Sequence, residues 1–334
     1  MSITLGNFEE TLEALGVGGA GPIAVAVSGG PDSMALCWLL SRWAVERGVK
    51  IHVLTVDHGL RPEAAEEAIQ VGAWLGGWSQ QVEHHILRWK TPADTAIQEE
   101  ARKARYGLMA EYCRVHDIRH LFLAHHRDDQ AETVLFRLAK GSGLDGLSGM
   151  QAVQAYDEDL SLVRPLLDCG KAELLELCGV EDIPYFEDPS NANSDFARVR
   201  LREARRVLEE EGLTSKRLAV TAQRLGRARR ALEDLSAQAY QKAVIESDTK
   251  HIVFKINILF MQPEEVILRC LLKALSVLRP TSDYAPRMER VEVILYDLIS
   301  FQKDRVAFRK RTLGGVVFAM DEDLGVLRLT REHS

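Results

Sequence analysis

Two short stretches of this sequence combine residue types and spacings that can do chemistry. The first is Ser28-Gly29-Gly30-Pro31-Asp32-Ser33. It follows the apolar run Ala24-Val25-Ala26-Val27 and precedes Met34, Leu36, Trp38, Leu39, Leu40 and Trp43 at mostly helical spacing. Strand, turn and helix in that order make a seat for an anion. Adjacent glycines let the backbone take positive φ and approach a ligand closely, and the helix start beyond them offers unpaired N–H groups and a positive dipole end. As plain structure, the same residues would form a tight turn with Asp32 or Ser33 capping the helix. No Lys-Ser/Thr pair follows the glycines, so this is not a Walker A loop, and the spacing is not the Gly-x-Gly-x-x-Gly of dinucleotide sites. The second stretch is His125-His126-Arg127-Asp128-Asp129-Gln130-Ala131-Glu132. If a helix begins near Asp128, Asp129 and Glu132 are three apart and share a face, with His125 just before them. A histidine with two carboxylates can orient an amine, hold a metal or manage protons near neutral pH. The structural alternative is a capping box that joins Asp129 to Glu132.

These stretches need a scaffold that brings them together. After the first helix, strands are expected over 50–56, 80–87, 120–124 and 160–163, and helices from Pro62, over 95–117, over 128–140 and over 171–178. Strands alternating with helices predict an α/β fold, a doubly wound parallel sheet covered on both faces. Such sheets bind ligands at the carboxyl ends of the strands, where the strand order reverses. With the first strand central and the fourth beside it, the crevice lies between the 28–33 turn and residues 125–132.

Beyond residue 183 the texture changes. Between Arg198 and Arg230 eleven Arg and Lys residues face four Glu, an excess of seven positive charges in a chain whose net charge is −7. A solvated helix face would explain this, but such an excess in an acidic protein favours a polyanionic partner. The boundary is placed at Glu209-Glu210-Glu211-Gly212, giving domains of 1–210 and 211–334. The second is expected to be smaller and mainly helical, with helices over 215–245, 264–278 and 286–301 and short β-like runs at 315–318 and 324–329. A chain with 46% apolar and 27% charged residues is ordinary for a globular protein. The N-terminus does not read as a signal peptide and no apolar run is long enough to span a bilayer, so a cytoplasmic protein without a membrane partner is expected. The five cysteines are scattered with no Cys-x-x-Cys, which argues against disulfide, zinc and iron–sulfur frameworks. Trp74, Trp78 and Trp89 could stack on bases, although core packing is the commoner fate of Trp.

Ser28 to Ser33 resembles the Ser-Gly-Gly-x-Asp-Ser signature of the PP-loop ATP pyrophosphatases, whose Rossmann-like domain splits ATP between its α and β phosphates. Several further blocks are similar to the ordered motifs of the tRNA(Ile)-lysidine synthetase family: 56–61 (Val-Asp-His-Gly-Leu-Arg), 101–106, 124–133, 164–167 and 187–191. Together they cover roughly residues 23–202. The resemblance implies a ligase that adenylates C2 of the wobble cytidine of an isoleucine tRNA with a CAU anticodon, then replaces AMP with L-lysine. ATP would sit on Ser28, Gly29, Gly30, Pro31, Asp32 and Ser33, with Asp57, Arg102 and Arg105 also serving the nucleotide. Asp32 would act with Mg²⁺, as the charge beside a pyrophosphate also suggests. His125, Asp129 and Glu132 would serve lysine binding or adenylation, and Arg198, Arg200, Arg202, Arg205 and Arg206 would grip tRNA. Where the family often has Arg-Asn, this chain has Arg198-Val199, which puts any role of that asparagine in doubt. The rival readings are a 2-thiocytidine type PP-loop enzyme, whose cluster cysteines are absent here, and a non-catalytic nucleotide-binding protein. The sequence leaves open whether the chain forms a homodimer.

Overall fold

The computed structural model describes residues 3–18, 21–57, 59, 63–89, 97–187, 205–279, 288–304 and 306–332. Alternation of side chains organises the first part of the chain. In β1 (Ile23–Ala26), Ile23 and Val25 point into one apolar cluster and Ala24 into another. In β2 (Ile51–Asp57), Ile51 and Val53 join the first cluster and Leu54 the second. A sheet buried on both faces results. The first face is covered by α1 (Leu5–Ala14), α2 (Pro31–Arg47), α3 (Glu63–Leu75) and α7 (Lys171–Val180), with Trp43, Leu36 and Leu40 fully or nearly buried. The second is covered by α4 (Ile97–Val115), whose Tyr106, Met109, Ala110 and Cys113 fall at helical spacing against the sheet.

The sheet runs β3-β2-β1-β4-β6-β5, where β3 is Val82–Arg88, β4 His120–Phe122, β5 Val153–Ala155 and β6 Ser161–Val163. All pairs are parallel except β5–β6. The order reverses between β1 and β4, as expected, so the 28–33 turn and the start of α5 (Arg127–Ala139) sit at one crevice. The short edge strand β5, exposed throughout, is an addition to the expected scheme, as is the four-residue α6 (Leu144–Leu147).

The chain divides into two compact units, Met1–Gly226 and Arg227–Ser334. The sequence boundary at 210 falls ahead of this division. Residues 211–226 belong with the first unit because the start of α9 (Ser215–Ala243) places Leu218 and Ala222 against Ala131 and Val134 of α5. A short helix α8 (Arg205–Glu210) precedes it. The second unit has α10 (Ile256–Leu259), α11 (Glu264–Leu278) and α12 (Met288–Asp304). They accompany an antiparallel sheet in the order β7-β8-β11-β10-β9. Its strands are β7 (Val244–Ser247), β8 (His251–Lys255), β9 (Arg311–Leu313), β10 (Val316–Asp321) and β11 (Val326–Arg331). The two β-like runs of the sequence are β10 and β11, and three further strands complete the sheet.

Candidate active site

The turn after β1 is held by its own side chains. Ser33 Oγ accepts from Ser28 N at 3.2 Å and donates to Gly30 O at 3.0 Å. Gly29 has φ +86°, a value L side chains avoid, and its carbonyl accepts from Phe186 N at 2.9 Å. Gly30 is the N-cap of α2 with Pro31 in its first turn, and no side chain caps the helix. The plain-structure alternative, with Asp32 or Ser33 as the cap, is not what forms. The first helical position tolerates proline because its N–H would be unpaired there anyway, and with no side-chain cap the remaining first-turn N–H groups are left for a ligand. Beside the turn lies a cleft of about 390 Å³, lined by Ser28, Gly30, Asp32 and Ser33, by Thr55 and Val56 of β2, by Arg105, Tyr106 and Met109 of α4, and by His125.

α5 begins one residue earlier than expected, and that residue decides which histidine meets the carboxylates. His126 is the N-cap, and its Nδ1 accepts from Asp128 N at 3.2 Å. Asp129, the third helical residue, accepts from His126 N at 3.0 Å. The capping box therefore joins His126 to Asp129, and not Asp129 to Glu132 as the structural alternative had it. In the neutral ring, with Nδ1 accepting, the proton sits on Nε2, which lies 3.5 Å from both Asp32 Oδ2 and Asp129 Oδ2; in the charged ring the Nδ1 proton instead faces Asp128 Oδ2 at 3.7 Å. Lys171, at the start of α7, brings Nζ to 3.7 Å from the same Asp32 oxygen. Its backbone N–H binds Asp128 Oδ2 at 2.9 Å, and Ser215 binds Asp128 Oδ1 at 3.0 Å. Asp128 thus ties three helices at the site.

Charges follow from this geometry. Burial works to raise the Asp32 carboxyl, but the hydrogen bond and charge of His126, with Lys171, hold it below the usual carboxylate range. Burial opposes a charged His126, yet Asp32, Asp129 and Asp128 together raise it above the ordinary histidine value. Asp129 is raised, by burial first, with Glu132 and Asp32 adding to it. His125 behaves oppositely: burial, then the positive Arg164, Arg102 and Arg105, push it down to about 3, and its buried Nδ1 has no hydrogen-bond partner. It faces the cleft as a neutral imidazole, while His126 makes the carboxylate contacts that the sequence reading gave to His125.

Of the other expected nucleotide residues, Arg105 lines the cleft and Arg102 is exposed, each with its guanidinium 5.4 Å from the Tyr106 ring. Asp57 accepts from Gly59 N at 2.9 Å and does not line the cleft. Glu132 lies one turn beyond Asp129. Arg198, Arg200 and Arg202 fall outside the described residues. Arg205 and Arg206 lie in α8, with their side chains outside that description. Trp74 packs on the first core cluster and on Phe186, with ring centroids 4.5 Å apart, and Trp78 packs there too. His126 and Lys171 are the residues that sequence reasoning missed. The adjacent histidines gave a signal for one. Lys171, far along the chain, gave none.

A switch-point crevice with a Gly-Gly turn, a partly buried carboxylate and flanking cations defines an ATP-using PP-loop enzyme, and a family model described as a PP-loop domain matches residues 6–210. The chain is 39% identical over 310 residues to the tRNA(Ile)-lysidine synthase of Rhodopseudomonas palustris, covering 90% of this chain and 88% of that one. It is 42% identical over 285 residues to that of Methylobacterium nodulans, covering 84% and 82%. It belongs to the tRNA(Ile)-lysidine synthase family. Among solved structures, the fold is shared with the U34-tRNA thiolase NcsA from Methanococcus maripaludis with its [4Fe-4S] cluster. The TM-score is 0.57 at 16% identity, over 67% of this chain and 78% of that one.

Proposed function

We propose that this chain uses ATP to adenylate the C2 oxygen of the wobble cytidine of an isoleucine tRNA with a CAU anticodon, and that the amine of L-lysine then displaces AMP to give lysidine. The observation that carries the reading is the line Asp32–His126–Asp129 beside a phosphate-type turn, in a chain of this family. The backbone of residues 28–33 would hold the phosphates, and Lys171 and Arg105 would offset the negative charge released with pyrophosphate. Asp32 suits a Mg²⁺ ion: it is held ionised, and its buried Oδ1 has no hydrogen-bond partner. Bound there, Mg²⁺ would neutralise charge on the phosphates. Asp129 and Glu132 suit the ammonium of lysine, and Asp129, with its raised carboxyl, suits the proton that the amine gives up on attack. His125 offers one unpartnered nitrogen for a single hydrogen bond to substrate.

A cytidine in an anticodon loop can be splayed into a cleft without opening a long duplex. Lys216, Arg217 and Arg224, exposed on α9, would meet tRNA phosphates together with the arginines at 198–206. Sulfur-transfer chemistry is poorly served: all five cysteines are free, they lie scattered through the cores, and burial raises each thiol. No described helix is long and apolar enough to cross a membrane, and the cytoplasm is the compartment that this reading implies. The test is release of pyrophosphate from ATP on adding isoleucine tRNA. Asp32→Ala should abolish it, and EDTA should stop it until Mg²⁺ is restored. Release that survives Asp32→Ala, or that Mg²⁺ fails to restore after EDTA, would count against these assignments.

A further inference from the structure

A second cluster of chemistry-bearing side chains lies on the β2–β3 edge of the sheet, and shares no residue with the lining of the nucleotide cleft. His52 pairs with Glu83 in register and His85 follows two residues on, so the three project from one face. Their ligand atoms, two imidazole nitrogens and a carboxylate oxygen, all lie within 4.8 Å of one another. Tyr112 of α4 and His116 of the turn after it cover this face, the Tyr112 ring 4.8 Å from His85 and the His116 ring 5.4 Å from His52.

The polar atoms are disposed in a particular way. Tyr112 Oη lies 2.9 Å from His52 Nδ1, which orients the ring and leaves Nε2 for another partner. Metal-bound histidines are held in this way, one nitrogen fixed by a neighbour and the other on the ion. His85 Nε2 is buried with no hydrogen-bond partner, and the nearest carboxylate oxygen is Glu83 Oε2 at 3.7 Å. The other oxygen of Glu83 is taken by Lys50 Nζ at 2.7 Å. The His52 side chain is buried between the sheet and the residues that cover it.

We propose that His52, Glu83 and His85 form a binding site for a zinc-class divalent transition-metal ion, separate from the nucleotide cleft, that clips β2 to β3 beneath α4. Two imidazoles and one carboxylate are the donor set such ions prefer, and are too rich in nitrogen for Mg²⁺ or Ca²⁺. Bonds of about 2.1 Å need ligand atoms roughly 3.4 Å apart. The side chains of Glu83 and His85 are 45% and 30% exposed, and ion binding would draw them inward by that much. Lys50 is a cation beside the site and opposes the ion, so removing its charge should tighten binding.

The experiment uses the full chain, stripped with a chelator and titrated with Co²⁺ and then Zn²⁺. Wild type should take one more equivalent of Co²⁺ than His85→Ala or Glu83→Gln, with the visible absorption of a nitrogen-bound cobalt ion, and Zn²⁺ should displace it. The difference is what counts, because Asp32, His126 and Asp129 are intact in every sample and any cobalt they hold cancels. Lys50→Met should bind several-fold more tightly than wild type. Zn²⁺ should raise the melting temperature of wild type and not that of His85→Ala. Equal stoichiometry and equal spectra in wild type and Glu83→Gln would overturn the proposal. If His85→Ala does not fold, Glu83→Gln, altered only at a half-exposed side chain, decides alone.

Discussion

Replacing His126 by Asn isolates the charge at the centre of the site. Asparagine is a good N-cap and can still accept the Asp128 amide, so the helix start is kept while the imidazole is lost. His126 Nε2 stands 3.5 Å from Asp32 Oδ2 and 3.5 Å from Asp129 Oδ2. At an effective dielectric near 20, each contact is worth ~5 kcal/mol of gross attraction. Burying the imidazolium offsets most of this. With the Asp32 side chain 25% exposed, the expected net loss is ~2 kcal/mol, the size of one charged hydrogen bond. In a compact unit of this size that lowers the melting temperature by ~4–8 °C.

The loss should depend on pH with a definite sign. A histidine raised on folding stabilises fully below its unfolded value of about 6.5, and this is lost as pH rises through the higher folded value. Asp32, lowered on folding, contributes above its unfolded value of about 3.9, and this is lost as pH falls through the folded value. The stability gap between wild type and His126→Asn should therefore be widest between about pH 5 and pH 6.5 and shrink as the pH rises above that. Urea denaturation of both proteins across this range measures it. A gap that stays constant, or widens with pH, would refute the reasoning.

Three more outcomes follow from the same geometry. Gly29→Ala places a Cβ at positive φ, 2.8 Å from Phe186 Cδ2 and 3.0 Å from Val71 Cγ2, and should lose at least ~2 kcal/mol. Gly30→Ala meets only Ser28 Oγ at 3.7 Å and should stay within ~1 kcal/mol of wild type; equal melting temperatures for the two variants would contradict this. Arg105→Ala should raise KM for ATP about tenfold, a loss of ~1.4 kcal/mol, and Arg102→Ala much less, because only Arg105 lines the cleft; steady-state kinetics reading equal effects would be the contrary result. Affinity for isoleucine tRNA should fall steeply with salt, and each of Lys216→Ala, Arg217→Ala and Arg224→Ala should reduce the log–log slope by about 1; an unchanged slope in all three would remove α9 from the tRNA surface.

Local patterns announced the first half of the fold. The run 24–27, two glycines and a proline at the helix start marked the β1–turn–α2 unit, and the alternation of strands with helices gave the parallel sheet. What stayed hidden was set by packing at long range or by one-residue rotations. β5 and β7 are short and mostly exposed, so no apolar alternation betrays them. His125 and His126 are neighbours of identical chemistry, and only the point at which α5 begins sends one towards the carboxylates and the other to the cleft. Lys171 reaches Asp32 because α7 packs against α2, which nothing local to residue 171 encodes. In the same way, the histidines of β2 and β3 read as ordinary strand residues until the register places His52 opposite Glu83.

The most direct test is transfer of label from radioactive lysine to tRNA by the full chain with ATP, comparing an isoleucine transcript with a wobble cytidine against a methionine tRNA, and wild type against Asp32→Ala. Lysine should enter the isoleucine tRNA alone, with AMP and pyrophosphate released in step, and Asp32→Ala should abolish all three. Pyrophosphate release without lysine incorporation, or label entering both tRNAs equally, would contradict the account.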